Sequence, residues 1–110
     1  MSTEDIKRKL HNALITRVLE GDGRATPSQR RAAFDNERLP EPLRTLINKV
    51  ANYAYKVTDR DILAVKESGL NEDQVFEVVV CAAIGQATRQ YETALAALDA
   101  ATEEGSPNAS

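Results

Sequence analysis

Asn71-Glu72-Asp73-Gln74-Val75-Phe76-Glu77-Val78-Val79-Val80-Cys81-Ala82-Ala83-Ile84 is the stretch that decides the fold of this 110-residue chain. Asn71, with Gln74 three positions on, reads as the start of a helix, each side chain meeting the other's free backbone amide. From Val75 to Ile84 apolar residues point to every side of that helix, and a helix apolar all round is expected to be buried on all sides. The run Val78-Val79-Val80 would also suit a strand. No second segment offers a strand for it to pair with, so the helical reading stands. After Gln86 the pattern becomes one-sided, through Tyr91, Leu95 and Leu98. The composition from Glu103 onward is that of a tail, which predicts a helical domain over 1–103 and a disordered 104–110.

Working back towards the N-terminus, the same logic yields four more helices. Thr58, followed by Asp61, caps a short helix that carries Ile62, Leu63 and Val65 and ends at Gly69. Leu43, Leu46, Ile47, Val50, Ala51, Ala54 and Val57 follow the offsets of one helical face, which predicts a helix from about Pro42 into the mid-fifties with Tyr53 joining that face and a break or shift near Tyr55 to Thr58. Leu39-Pro40-Glu41-Pro42 is a rigid link. Thr26-Pro27 opens a short helix to about Asn36. Ile6, Leu10, Leu14, Val18 and Leu19 mark a first helix from about Thr3 to Glu20, with Ser2 and Asp5 at its cap. Gly21-Asp22-Gly23 ends it and follows no strand, so it reads as a turn and not a phosphate cradle. The expectation is an all-α domain of about five helices.

Composition narrows the function classes. Hydrophobic residues make up 42% and charged residues 28%, an ordinary globular balance. The net charge of −3 conceals a basic first half and an acidic second half. Neither is basic enough for a nucleic-acid footprint. No apolar run approaches a membrane span. Met1 to Lys9 is polar and charged, unlike a signal peptide, which makes the expected location cytoplasmic. Cys81 is the single cysteine, so no intrachain disulfide can form. It lies mid-helix between Val80 and Ala82, where an inert packing role is expected. His11 is the single histidine and has no second histidine or acid at metal-ligand spacing, so neither a metal nor a cofactor is expected.

Residues 39–98 resemble the carboxymuconolactone decarboxylase-like domain, the helical fold shared with alkyl hydroperoxidase D. The most specific part is Gly69-Leu70-Asn71-Glu72-Asp73-Gln74-Val75-Phe76, a Gly turn and an acidic helix start leading into the long apolar helix. In the thiol-active branch of that family a cysteine pair and a histidine precede the Gly turn. Counting back from Gly69 puts Asp61 at the histidine position, Val57 at the second cysteine and Ala54 at the first. The resemblance therefore does not carry thiol peroxidase chemistry with it. It does imply oligomers of intertwined subunits, from dimer to hexamer.

Four residues are candidates for residual chemistry: Asp61, Tyr53 and Tyr55 at or beside that missing centre, and Arg89 on the last helix just past its most buried part. Asp61 can act as a general base or simply cap its helix. Arg89 can hold an anion through paired hydrogen bonds, or pair with Asp61 or with a Glu of another subunit. Tyr53 and Tyr55 flank the first thiol position, and opposite faces of one helix would put one in the core and one at the surface. Two readings remain open: a helical self-assembly or interaction module, and a non-thiol acid–base enzyme or binder of a small anionic molecule.

Overall fold

The computed structural model describes residues 3–104. These form five α-helices and a single 3-10 turn, with no strand among them. The helices are α1 (Thr3–Glu20), α2 (Pro27–Asp35), α3 (Leu43–Asn52), α4 (Asp59–Glu67) and α5 (Glu72–Glu104). The 3-10 turn, Ala54–Lys56, separates α3 from α4. No helix among the described residues is long and apolar enough to cross a membrane.

The helix starts follow local chemistry. Thr26 and Gln29 exchange bonds at α2, with Pro27 at the first helical position. Thr58 and Asp61 do the same at α4. Asn71 and Gln74 do so at α5, at 2.8 and 2.9 Å. Each pair satisfies amides that the first helical turn leaves without partners. Ser2, expected at the cap of α1, lies outside the described residues, as do 105–110 of the expected tail. Helix α5 itself continues through Glu104.

Helix α5 is the spine. Its 33 residues span about 50 Å. The core is built by Val75, Val78, Cys81 and Ala82 of α5 against Phe34 of α2, Leu43, Leu46 and Ile47 of α3 and Val65 of α4. Helix α1 runs antiparallel along α5: His11 meets Thr88, and the Val18 carbonyl meets the Cys81 thiol. The closest approach is between α2 and α5 at Gly85. A Cβ placed there would lie 2.9 Å from the Phe34 Cα and closer still to its carbonyl. Only glycine admits that crossing.

Three expectations need correction. The periodicity of α3 does not reach Val57. The helix stops at Asn52 because Tyr53 leaves helical geometry (φ −146°, ψ 53°), so Ala54 is exposed rather than on the buried face. Helix α5 is not covered on every side: Phe76 is 70% exposed and Ala83 is exposed. The stripe Ile6, Leu10 and Leu14 of α1 also faces water, with Leu10 at 66%. The molecule is accordingly long, 59 × 29 × 21 Å, with a radius of gyration of 17.4 Å. A compact domain of this length would have about 13 Å.

The Gly85 crossing gives a direct test. Alanine inside a helix is favoured over glycine by about 1 kcal/mol. Here the overlap falls on backbone, which cannot swing aside, and overpacking of this kind costs about 1–3 kcal/mol. Gly85→Ala is therefore expected to lower the thermal midpoint by several degrees, measured by circular dichroism. An unchanged or raised midpoint would contradict the close crossing.

Candidate functional site

Asp61 stands at the first turn of α4. Its carboxylate accepts from the Thr58 amide at 2.9 Å and from Lys49 Nζ at 3.0 and 2.9 Å. The Lys49 ammonium first, and the Thr58 amide after it, hold its pKa below the usual value of 3.8. A carboxylate stabilised in its ionised form is a poor proton acceptor at neutral pH. In this geometry Asp61 ties the start of α4 to α3.

Arg89 does not meet Asp61. Its Nη1 donates to the Phe34 carbonyl at 2.6 Å and its Nη2 to Gln86 Oε1 at 3.0 Å. The guanidinium thus closes the last turn of α2, four residues beyond the Gly85 contact, where carbonyls lack helical partners. Tyr53 and Tyr55 do not divide between core and surface, because the helix that would have placed them so has already ended. Both are exposed, at 46% and 82%. They are brought together only through Lys56, whose ammonium lies 5.1 and 5.9 Å from their ring centres. The four nominated residues thus fall into three separate arrangements, Asp61 with Lys49 and Thr58, Arg89 with Phe34 and Gln86, and the two tyrosines beside Lys56.

Two arrangements have no signal in the local sequence. In the first, His11 Nε2 lies 3.1 Å from Thr88 Oγ1, and Thr88 donates its own proton to the Ile84 carbonyl at 2.7 Å. Thr88 can then only accept from His11, so the neutral ring carries its proton on Nε2 and leaves Nδ1 as an acceptor. The ring packs 5.9 Å from Tyr91. Beside it an open groove of about 460 Å³ is lined by Arg8, Asn12, Glu92 and Asp99 among others.

In the second, Arg30 is 5% exposed and donates from Nη1 to the carbonyls of Gly21 and Val18 at 2.6 and 3.3 Å, closing α1 as Arg89 closes α2. Its Nε is buried without a partner. Glu77 accepts from the amides of Arg24 and Ala25. Burial pushes its pKa up, but those amides and the nearby Arg30 charge outweigh burial and leave the pKa lowered. Together Arg30 and Glu77 fasten the 21–25 turn around a recess of about 170 Å³. Cys81 lies close by, 1% exposed, and burial pushes its thiol up to about 11. At neutral pH it is a protonated packing group. Among the described residues no group of three His, Cys, Asp or Glu side chains is placed to hold a metal.

Two outcomes follow from these contacts. Cys81 is expected to resist a mild thiol reagent in the native protein and to react on unfolding, and Cys81→Ala to cost about 1–2 kcal/mol. Immediate native-state labelling would overturn its burial. Asp61 has a folded-state value below 3.8, so its contribution to stability is present above that pH and is lost as pH falls through the depressed value. Asp61→Asn should therefore flatten the acid limb of a stability–pH curve while leaving its neutral plateau uniformly lower. An acid limb identical to the wild type would show that the Lys49 pairing adds nothing. Comparison of the chain with protein-family models, with curated proteins and with solved structures finds no match.

Proposed function

We propose that this chain is a helical self-assembly module, without thiol peroxidase chemistry, whose α5 surface binds further copies of the chain. One observation carries the reading: the outward side of α5 is apolar and uncovered. Phe76, Val80, Ala83, Ala87, Ala94, Ala97, Leu98 and Ala101 recur at helical spacing on one face, with Gln90 the polar residue among them, and all but Val80 are exposed. Apolar surface of this extent on an isolated chain marks an interaction site. The small side chains allow a second helix to come close.

The resemblance of residues 39–98 to the carboxymuconolactone decarboxylase-like scaffold supports an oligomeric reading. The absence of thiol chemistry is supported separately: Ala54 and Val57 offer no sulfur, and Cys81 is buried and protonated. The alternative of an acid–base or anion site draws less support, because Asp61 and Arg89 already hold Lys49 and the Phe34 carbonyl.

Light scattering at micromolar concentration tests the module. The expected particle is a multiple of the 12.1 kDa chain. A well-folded particle of the single-chain mass would refute self-assembly. An organic hydroperoxide with a dithiol reductant should show no turnover above the uncatalysed rate. Turnover that disappears in Cys81→Ser would make Cys81 reactive and overturn the second half of the proposal.

A further inference from the structure

We propose that the recess beside Arg30 binds a short-chain aliphatic monocarboxylate, held by the edge of the Arg30 guanidinium that the chain itself does not bond. This site is separate from self-assembly and rests on an unpartnered donor. Arg30 is 5% exposed. Its Nη1 is taken, donating to the Gly21 and Val18 carbonyls at 2.6 and 3.3 Å. Its Nε is sealed from water and has no acceptor. Its Nη2 also has no acceptor among the described residues, but it is not sealed, so solvent reaches it. A planar guanidinium sets Nε and Nη2 side by side with their N–H groups parallel, and a carboxylate takes that edge with its two oxygens. Buried N–H groups in folded proteins almost always have an acceptor, and a bare edge on a charged group is costlier than one on a neutral amide.

The chain's own carboxylates leave that edge alone. Glu77 lines the same recess, but both its oxygens accept from the amides of Arg24 and Ala25. Asp22 is on the wall as well, exposed and without a bond to Arg30. A carboxylate from outside enters beside Nη2, and its second oxygen comes onto Nε along the same edge.

The remaining walls select the ligand. Val18, Phe76 and Val80 give the recess an apolar side. A hydrocarbon end gains by covering it, and inorganic phosphate has none. Arg17 is the second cation on the wall, exposed and without an ion pair among the described residues. Arg17 and Arg30 are matched in charge by Asp22 and Glu77. The site therefore has no surplus positive charge for a doubly charged anion, whereas a single carboxylate needs only the paired N–H edge. The volume of about 170 Å³ sets the size. It is well above the roughly 30 Å³ share of one water and below the roughly 300 Å³ at which pockets for drug-sized ligands begin. That suits a carboxylate carrying a few carbons.

The Arg30 Nε–H group is its own reporter in a proton–nitrogen correlation spectrum, identified by through-bond correlation to its side chain. Sodium propionate is the probe, with propanol as the neutral molecule of similar size and inorganic phosphate as the oxyanion without a hydrocarbon end. Propionate is expected to shift the Arg30 Nε–H signal saturably in the millimolar range and to raise the thermal midpoint. Propanol should leave the signal in place, and phosphate should bind more weakly. Arg30→Lys keeps the charge but loses the paired edge, and is expected to abolish binding. Arg17→Gln carries the test should that chain fail to fold, since Arg17 is exposed and closes no helix; it is expected to weaken propionate about threefold. A signal that stays fixed at tens of millimolar propionate overturns the proposal and leaves water as the partner of Nε. An equal response to propanol shows apolar filling without carboxylate capture and overturns it too. Phosphate binding as tightly as propionate overturns the assigned ligand class, and undiminished affinity in Arg17→Gln puts the carboxylate outside this recess.

Discussion

Everything in this fold is organised by how closely α2 can approach α5. At Gly85 the backbone of α2 comes within a distance that no side chain would permit, placing the Phe34 carbonyl against the spine helix. That contact would leave a carbonyl at the end of α2 without a helical partner, and an unpaired buried carbonyl is costly. Arg89, one turn further along α5, donates to it at 2.6 Å. The glycine permits the approach and the arginine makes it tolerable. With α2 fixed there, Phe34 and Ala33 reach the interior, and α3 and α4 close over Val65, Ile47 and Leu46.

The same device recurs at the end of α1. Arg30 is buried and supplies the Gly21 and Val18 carbonyls, while Glu77 holds the amides that follow in the turn. Charged groups in a core are expected to be paired or hydrogen-bonded, because removing them from water is otherwise prohibitive. Here the groups that receive Arg30 are backbone carbonyls and the groups that receive Glu77 are backbone amides. A small core of Ala, Val, Leu and Ile is thus held at two helix ends by directional bonds, which set the angles at which the helices leave the spine.

This division explains what could be read before the structure and what could not. The helix starts at Thr58 and Asn71 were legible because the partner in each lies three residues away, and that at Thr26 because Pro27 follows it. Asp61 as a cap was legible for the same reason. The Lys49 that pairs with it is 12 residues away on another helix, and nothing local points to it. The bonds of Arg89 to Phe34, of His11 to Thr88 and of Arg24 to Glu77 span 55, 77 and 53 positions. They exist only once the topology exists. Tyr53 and Tyr55 were misplaced by a different route. Extending the α3 periodicity through them assumed a helix that continues, and once Tyr53 left helical geometry the face they were assigned to no longer existed. The candidate site read from the sequence was therefore a set of residues that the structure holds in three separate arrangements.

The apolar circumference of α5 shows the limit of a rule read one chain at a time. A helix apolar all round must be covered all round, yet only four other helices are available, and α1 lies along a single side. Helices α2, α3 and α4 serve the sector of Val75, Val78, Cys81, Ala82 and Gly85. Helix α1 serves the sector of Thr88 and Tyr91. The remaining sector, through Ala83, Ala87 and Ala94, is exposed among the described residues. Residues of this sector are mostly alanine, which adds helix propensity but little transfer energy per side chain. Their exposure is accordingly cheap in the isolated chain. A sector of larger residues would have made the lone chain prone to disordered aggregation. A sector of charged ones would have given a domain complete in itself. A sector made mostly of alanines lies between these extremes, a surface tolerable on the chain alone.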